Sequence, residues 1–179
     1  MKKLIQLHDL QFEPFISEDK ITRSIEKVAE QINRDFKDEN PVFLGVLNGA
    51  FMVASEIIKR FKGNCEVTFV KLGSYEGTST SGSVETLIGL SHSLEGRRVV
   101  VIEDIVDTGN TLAAIDKILL EHKVAEYRIA TLFLKPDAYK KDYKIDYTGM
   151  EIPNDFIVGY GLDYDGLGRN LTQVYKLKE

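Results

Sequence analysis

The sequence predicts an α/β fold in which an open, mostly parallel sheet is flanked by helices. Apolar runs of strand length alternate along the chain with segments of helical periodicity. Clusters of Gly, Asp, Ser and Thr follow three of these runs, which are VFLGVL at 42–47, CEVTFVKL at 65–72 and RRVVVIE at 97–103. Because ligands bind beyond the carboxyl ends of the strands in such sheets, we expect the functional site at these clusters.

The first helix is predicted to begin after Ser17. One helical face is marked by apolar residues at steps of four, three, four and four positions, namely Ile21, Ile25, Val28, Ile32 and Phe36. The hydroxyl of Ser17 can cap this helix, and Glu18 and Asp19 suit the positive end of its dipole.

A parallel β/α unit follows Asn40-Pro41. VFLGVL predicts a buried strand, Asn48-Gly49 a tight turn, and AFMVASEIIKR a helix. CEVTFVKL predicts the next strand, and TLIGL at 86–90 a short returning one. Residues 73–86 contain three Gly, four Ser and three Thr, a composition from which no core can be built. We therefore expect a long mobile loop there, and such a loop inside a compact domain is usually functional or disordered.

The second half of the chain continues the alternation. Residues 97–122 predict a strand, a loop and a helix with one apolar face, Leu112, Ile115, Ile118 and Leu119. EYRIATLFLK at 126–135 and FIVGYGL at 156–162 predict two further strands. KPDAYKKDYKIDY at 135–147 combines its lysines and tyrosines with three aspartates, so we expect a solvated connector there rather than a surface that binds nucleobases.

Length, charge and cysteine content restrict the class of protein. A chain of 179 residues that is 43% apolar suits one domain, which we expect to span residues 1–179. A net charge of −5 and a pI of about 5.3 argue against a broad basic surface for nucleic acid. The single Cys65 has no disulfide partner, and no apolar run of about 18 residues occurs. We therefore expect a cytoplasmic protein with no membrane or nucleic-acid partner.

The segment VVVIEDIVDTGNTL at 99–112 carries the clearest chemical signal. Its apolar strand runs directly into Glu103 and Asp104, and a small polar loop then precedes a helix. The loop offers a third carboxylate, hydroxyls, an unhindered glycine and helix-start N–H groups from Asp107, Thr108, Gly109, Asn110 and Thr111. Such a loop can bind a phosphate dianion, while Glu103 and Asp104 can bind sugar hydroxyls and attract Mg²⁺. Together these groups suit a ribose 5-phosphate.

Helix capping is the simpler alternative for single residues of this loop. Asp107, Thr108 and Asn110 can each cap the following helix, with the two acids at an exposed strand end. An apolar strand that ends in consecutive acids is, however, an unfavourable place for charge without a ligand. The whole arrangement therefore favours a binding site. It is not a nucleotide P-loop, because the Gly-x₄-Gly-Lys-Ser/Thr spacing is absent.

The same segment resembles the phosphoribosyl pyrophosphate-binding motif of the type I phosphoribosyltransferases. Three further segments resemble parts of the hypoxanthine-guanine enzymes of that family. KLGSYEGTSTSG is similar to their catalytic flexible loop, VLNGA to their pyrophosphate loop, and EIPNDFIVGYGLDYDGLGRNL to their purine-binding region. The resemblance spans roughly residues 40 to 175 and implies the type I phosphoribosyltransferase fold, with a small hood built from the chain ends.

On the base side, the resemblance implies a role for four residues. Asp107 matches the general base at purine N7, and Lys135 matches the donor to the 6-oxo group. Phe156 matches the aromatic ring that stacks on the base, and Ile157 contributes backbone contacts to the purine edge. Without the resemblance, Phe156 can be a core strand residue and Lys135 a solvated charge.

On the pyrophosphate side, the resemblance implies Mg²⁺ as the cofactor. Glu103 and Asp104 match the pair on the ribose hydroxyls and lie where they also attract the metal. Asp163 matches a ligand of a second Mg²⁺, and Arg169 matches a contact of the pyrophosphate. Without the resemblance, Asp163 and Arg169 can be a surface ion pair.

Two loops complete the implied site. Asn48 and Gly49 match the pyrophosphate loop, although many relatives carry a basic residue where this chain has Asn48; the Gly49 N–H can still serve. Ser74 and Tyr75 match the catalytic pair of the flexible loop. We expect residues 73–86 to close over the site and exclude water, which would otherwise hydrolyse the reacting ribosyl centre.

The resemblance implies an enzyme of purine salvage. It would transfer the 5-phosphoribosyl group from phosphoribosyl pyrophosphate to N9 of hypoxanthine or guanine, giving IMP or GMP and pyrophosphate. The implied assembly is a homodimer or homotetramer. Two alternatives stay open: a phosphoribosyltransferase for another base such as xanthine, and a non-catalytic regulator that senses phosphoribosyl pyrophosphate and binds nucleic acid. A regulator would be expected to have a basic face or an added winged module, and the acidic pI counts against it.

Overall fold

A computed structural model describes residues 4–74, 84–90 and 93–178, with only the backbone of Ser74 and residues 84–88. Its helices are α1 (Glu18–Phe36), α2 (Phe51–Arg60) and α3 (Asn110–Glu121). Its strands are β1 (Ile5–Leu7), β2 (Leu10–Ile16), β3 (Val42–Leu47), β4 (Glu66–Ser74), β5 (Val84–Ile88), β6 (Arg98–Val106), β7 (Glu126–Leu134), β8 (Tyr147–Glu151), β9 (Ile157–Val158) and β10 (Val174–Leu177).

The larger sheet confirms the predicted open, mostly parallel architecture. Its strand order is β5-β4-β3-β6-β7-β8. Strands β4, β3, β6, β7 and β8 run parallel, whereas β5 pairs antiparallel with β4 and corresponds to the predicted returning strand. The continuous apolar runs of β3 and β6 suit this position, because a parallel strand in the middle of a sheet is buried on both faces.

Helices cover both faces of this sheet. Side chains alternate along β3, so that Phe43 belongs to the core under α1 and α2, whereas Val42 and Leu44 belong to the core under α3. The helix α1 buries its predicted apolar face and contacts α2, β7 and β8. None of the described helices is both long and apolar enough to span a membrane.

The strands β3 and β6 are neighbours from which the chain leaves in opposite directions. From β3 it crosses through α2 to β4, and from β6 it crosses through α3 to β7. A crevice opens outside the carboxyl ends of the strands at such a switch point. The turns at 48–50 and 107–109, which follow β3 and β6, therefore lie at the mouth of this crevice.

The chain ends form a second, antiparallel sheet with the order β1-β2-β10-β9. Strands β1 and β2 form an N-terminal hairpin, and β10 joins β2 to β9. This sheet confirms the small hood that the resemblance implies. The sequence pattern alone does not predict β1, β2 or β10, because polar residues interrupt their short apolar runs.

Three predictions of local structure are wrong. Ser17 occupies the N-cap position of α1, but its hydroxyl makes no capping hydrogen bond. Residues 156–162 do not form one strand, since β9 contains only Ile157–Val158 and positive φ angles at 159–161 turn the chain. The connector at 135–147 is not solvated throughout. Four of its side chains pack on the core: Tyr139, Tyr143, Ile145 and Tyr147. An apolar pattern does not distinguish a short strand from a turn, and a tyrosine suits both surface and core.

Candidate active site

Three adjoining cavities lie outside the carboxyl ends of β3, β6 and β7. We call them the loop cavity, the central cavity and the aromatic cavity, with volumes of about 150, 320 and 220 Å³. Glu103 lines the loop cavity and the central cavity, while Gly49 and Asp104 line the central cavity and the aromatic cavity. Ile105 and Asp107 line both the loop cavity and the aromatic cavity, so the three cavities are parts of one continuous site.

The loop cavity is built around the start of α3. Its wall includes the whole predicted phosphate-binding loop, residues 107–111. Gly109 occupies the N-cap position with a φ of +84°, and no side chain among the described residues makes a capping hydrogen bond there. The capping alternative for Asp107, Thr108 and Asn110 is therefore wrong. A helix start without a side-chain cap directs its N–H groups toward the cavity, where they suit an anion.

Packing behind the loop also requires a glycine at position 109. A Cβ on Gly109 would lie 2.6 Å from Cε2 of Tyr139 and 2.8 Å from Cγ of Lys141. The phenol of Tyr139 is held in place because it donates to the Tyr143 carbonyl at 2.7 Å. Tyr139 and Lys141 of the connector therefore form the rear wall of the phosphate-type loop, a role that their sequence does not indicate.

Glu103 and Asp104 are buried at the end of β6, with exposures of 4% and 8%. Asp104 packs so closely on the turn after β3 that a Cβ on Gly49 would lie 1.7 Å from its Oδ2. Burial, reinforced by the Asp104 carboxylate, raises the pKa of Glu103 well above its ordinary value. Burial raises the pKa of Asp104 to about 6, although the Ile105 N–H that donates to it at 3.0 Å opposes this shift. The central cavity thus holds two acids whose charged forms are poorly solvated.

Lys135 and Asp107 meet in the aromatic cavity. Lys135 follows β7 and is only 7% exposed, and its Nζ lies 2.9 Å from Oδ2 of Asp107. The alternative of a solvated lysine is therefore wrong. Phe156 is 45% exposed and lines the same cavity, so it is not a core strand residue either. Ile157 is buried in β9 and contributes to the wall beside it.

Asp163 and Arg169 close another side of the aromatic cavity. Nη2 of Arg169 lies 2.7 Å from Oδ1 of Asp163, and its Nη1 donates to the Gly161 carbonyl at 2.6 Å. The ion pair considered as an alternative therefore exists, but it lines the cavity instead of the outer surface. Arg169 lowers the pKa of Asp104 and Asp163 raises it, so both charges act on this buried acid.

The turn after β3 faces the site through its backbone. The Leu47–Asn48 peptide bond is cis, and the Asn48 side chain is exposed. Gly49 lines both the central and the aromatic cavity, whereas Asn48 lines none of the three. Within the Asn48–Gly49 pair, Gly49 is therefore the residue placed to contact a ligand in these cavities.

The predicted flexible loop is described only at its ends. Leu72 and Gly73 line the central cavity, and of these two residues only Gly73 belongs to the predicted loop. Ser74 is the last residue of β4. Tyr75, together with residues 76–83, lies outside the described residues, so the catalytic roles of Ser74 and Tyr75 stay predictions.

Comparison with known proteins identifies the family. The phosphoribosyl transferase domain matches residues 17–165. The hypoxanthine-guanine phosphoribosyltransferase of Streptococcus pyogenes is 40% identical over 164 residues, which cover 91% of each chain. That of Streptococcus thermophilus is 41% identical over 166 residues, which cover 92% of each chain. The chain belongs to the hypoxanthine-guanine phosphoribosyltransferase family.

Solved structures show that this fold is the type I phosphoribosyltransferase fold. The hypoxanthine phosphoribosyltransferase of Staphylococcus aureus has a TM-score of 0.86 at 37% identity, covering 93% of this chain and 91% of its own. A Trypanosoma cruzi hypoxanthine phosphoribosyl transferase has a TM-score of 0.86 at 30% identity, covering 97% and 95%. That structure addresses the role of the C-terminal region in the oligomeric state of its own protein. A homodimer or homotetramer of this chain stays a prediction.

Folding brings the predicted residues of this phosphoribosyltransferase together from distant parts of the chain. Those that line the aromatic cavity are Gly49, Asp104, Asp107, Lys135, Phe156, Ile157, Asp163 and Arg169. Ile105 and Leu162 belong to the same wall, and the sequence does not predict them as site residues. Both are apolar residues within apolar or glycine-rich runs, so no sequence signal separates them from core residues.

Asp104→Asn should remove a pH-dependent loss of stability. Folding raises the pKa of Asp104 to about 6, so its protonated form stabilises the fold below about pH 4, and this stabilisation is lost as the pH rises through about 6. Asparagine keeps the oxygen that accepts from Ile105 but does not ionise. We expect the variant's advantage in free energy of unfolding to grow by roughly 2–3 kcal/mol from pH 4 to 7, measured by urea denaturation without ligands. A pH-independent difference would contradict this account.

Proposed function

We propose that this protein transfers the 5-phosphoribosyl group of phosphoribosyl pyrophosphate to N9 of hypoxanthine or guanine, with release of pyrophosphate. The meeting of three different chemical environments in adjoining cavities is the observation that carries this proposal. A helix start with glycine at its N-cap, a pair of buried acids and an aromatic cavity with a lysine share walls. These environments correspond to the phosphate, ribose and purine of the product nucleotide, IMP or GMP. Relatives about 40% identical to this chain bear the name hypoxanthine-guanine phosphoribosyltransferase.

The 5-phosphate binds in the loop cavity. Thr108 and Thr111 are exposed in its wall, where their hydroxyls can donate to phosphate oxygens alongside the N–H groups that begin α3. A net charge of −5 offers no general attraction to a substrate that carries several negative charges. Local donors and the positive end of the helix dipole therefore provide the affinity.

Mg²⁺ fits the acids that line the central and aromatic cavities. Among the described residues, no three acidic, His or Cys side chains lie close enough together to hold a metal ion by themselves. Mg²⁺ is commonly bound instead by one or two carboxylates together with substrate oxygens. Glu103, Asp104 and Asp163 can supply such carboxylates, and burial of the first two leaves their charges poorly solvated. When bound, Mg²⁺ neutralises charge on the departing pyrophosphate.

The base binds in the aromatic cavity and stacks on the half-exposed ring of Phe156. The ammonium group of Lys135 has three donor hydrogens, so it can bind Asp107 and the purine 6-oxo oxygen at the same time. In a purine, O6 and N7 lie side by side. A base whose O6 meets Lys135 therefore brings N7 toward the carboxylate that lies 2.9 Å from the same ammonium.

Proton transfer accompanies bond formation in this arrangement. Purine N9 attacks C1 of the ribose as the bond to pyrophosphate breaks, and Asp107 accepts the proton from N7. Glu103 and Asp104 orient the ribose through its hydroxyls. Pyrophosphate departs toward the N–H of Gly49 and the guanidinium of Arg169, which line the same wall of the site.

A pyrophosphate-release assay tests the proposed reaction. The purified chain is mixed with phosphoribosyl pyrophosphate, Mg²⁺ and one base at a time: hypoxanthine, guanine, xanthine or adenine. We expect pyrophosphate to be released when hypoxanthine or guanine is present and not when the base is omitted. If a protein that binds phosphoribosyl pyrophosphate releases no pyrophosphate with any base, the transferase function is wrong. If xanthine alone is used, the substrate is wrong but the reaction stands.

Asp107→Asn should lower turnover by about 10²–10⁴-fold, because the amide keeps the shape of the carboxylate and removes its basicity. Affinity for phosphoribosyl pyrophosphate should change much less. Turnover is measured with saturating hypoxanthine, and binding by calorimetry. Asp142→Asn, on the exposed part of the connector, is the matched control. Unaltered turnover in Asp107→Asn would exclude Asp107 as the base.

Lys135→Ala should reduce activity on 6-oxopurines and narrow the preference over adenine. Lys135 offers donors and no acceptor, so it complements a 6-oxo group and not the 6-amino group of adenine. An unpaired buried polar group costs roughly 1–3 kcal/mol, and more if it is charged, so the unchanged protein should favour hypoxanthine well over tenfold. The ratio of kcat/KM for the two bases measures this preference. Lys117→Ala, exposed on α3, is the control, and an unchanged ratio in Lys135→Ala would remove this lysine from base recognition.

A further inference from the structure

The ring of Phe156 is held from behind by two other aromatic rings. Phe156 precedes β9, and its carbonyl accepts from the Leu177 N–H at 2.9 Å, which anchors its backbone to the hood. Its ring centroid lies 6.1 Å from that of Phe12 and 5.9 Å from that of Tyr164, with interplanar angles of 41° and 87°. Contacts from two directions restrict rotation of the Phe156 ring, while 45% of the residue stays exposed toward the cavity.

Both supporting rings are tied to the N-terminal hairpin. Phe12 lies on β2 and is fully buried. Tyr164 lies on the loop after residue 162, but its phenol donates at 2.9 Å to Oδ1 of Asp9, at the turn between β1 and β2. This hydrogen bond joins residues 155 positions apart in the chain. The hairpin turn is therefore hydrogen-bonded directly to Tyr164, one of the two residues whose rings contact Phe156.

A second contact reinforces the attachment of the turn. His8, the residue before Asp9, has its ring 5.7 Å from that of Tyr164 in an edge-on arrangement. Its Nε2 lies 3.1 Å from the carbonyl oxygen of Asp165. The hairpin turn thus contacts the 163–167 loop through two consecutive residues. The hairpin, residues 5–16, lies outside the part of the chain that matches the phosphoribosyl transferase domain.

We propose that the N-terminal hairpin is a brace for the base-binding ring: Asp9 and Tyr164 are positioning residues that set the orientation of Phe156 for the purine. The proposal rests on the proposed stacking of the base on Phe156. Neither Asp9 nor Tyr164 lines the aromatic cavity, so they act through Phe156 rather than on the substrate. A ring that is already oriented loses less rotational freedom when the base binds, which strengthens binding without a new contact.

The brace predicts a selective change in the KM for the base. Asp9→Ala and Tyr164→Phe each remove the hydrogen bond, and we expect the KM for hypoxanthine to rise about threefold to tenfold, the effect of one such bond. The KM for phosphoribosyl pyrophosphate and kcat should stay within about twofold, because the loop cavity and the buried acids are untouched. Asp9→Asn keeps an acceptor oxygen and should restore the KM for hypoxanthine.

Tyr147→Phe is the control for a general loss of stability. It removes another phenol that donates to an aspartate, Asp35 on α1, at 2.8 Å, and neither residue lines any of the three cavities. We expect it to lower the midpoint of thermal unfolding and to leave the KM for hypoxanthine unchanged. If it raises this KM as much as Tyr164→Phe does, the selective effect is absent and the brace is overturned.

A double-mutant cycle separates the brace from the proposed stacking. In a Phe156→Ala background, Asp9→Ala should change the KM for hypoxanthine by less than about twofold, since the ring on which it acts is gone. An equal rise in both backgrounds, or no rise for Asp9→Ala and Tyr164→Phe with Phe156 present, overturns the brace and leaves the stacking intact. If Phe156→Ala alone does not raise this KM, the stacking is wrong and the brace falls with it.

Discussion

The contact between Asp104 and Gly49 is the constraint on which the site depends. The parallel pairing of β3 and β6 brings their carboxyl ends together, and the carboxylate of Asp104 then occupies the space where a side chain on Gly49 would lie. This packing holds the turn after β3 against the end of β6, where the central cavity and the aromatic cavity share Gly49 and Asp104 as wall residues. It also keeps two acids away from water, which raises the pKa of both. A strained electrostatic arrangement of this kind is common at functional sites.

Although the protein is acidic overall, a few groups within the site can bind an anionic substrate. Its net charge is −5, yet the start of α3 has no side-chain cap and faces a cavity, and Lys135 is buried beside Asp107. The start of α3 and Lys135 each act over a few ångströms, a range at which screening by salt is small for partly buried groups. These local groups therefore attract the anionic substrate once it is in the site, and the rest of the surface contributes little to its binding.

The hood ties the two chain ends to the base side of the site. Strand β10 lies between β2 and β9, so the C-terminal strand connects the N-terminal hairpin to the segment that carries Phe156. The aromatic cluster of Phe12, Phe156 and Tyr164 fills the space under this sheet. Residues at the extreme ends of the chain thus contribute to the geometry of a cavity whose chemistry lies on β6 and β7.

The sequence by itself determined the parallel sheet (except its edge strand β8), its helices and the chemistry of residues 103–111, because these depend on patterns between neighbours in the chain. Resemblance extended this to the hood and to most of the residues that line the aromatic cavity. Only the tertiary structure decided that Lys135 is buried and paired with Asp107, that Phe156 is part of a cavity wall, and that the connector at 135–147 supports the phosphate-type loop. The physical reason is that the burial and pairing of a side chain depend on which distant segments of the chain come into contact. Before those contacts are known, the same lysine, phenylalanine or tyrosine is compatible with the surface, the core or a binding site.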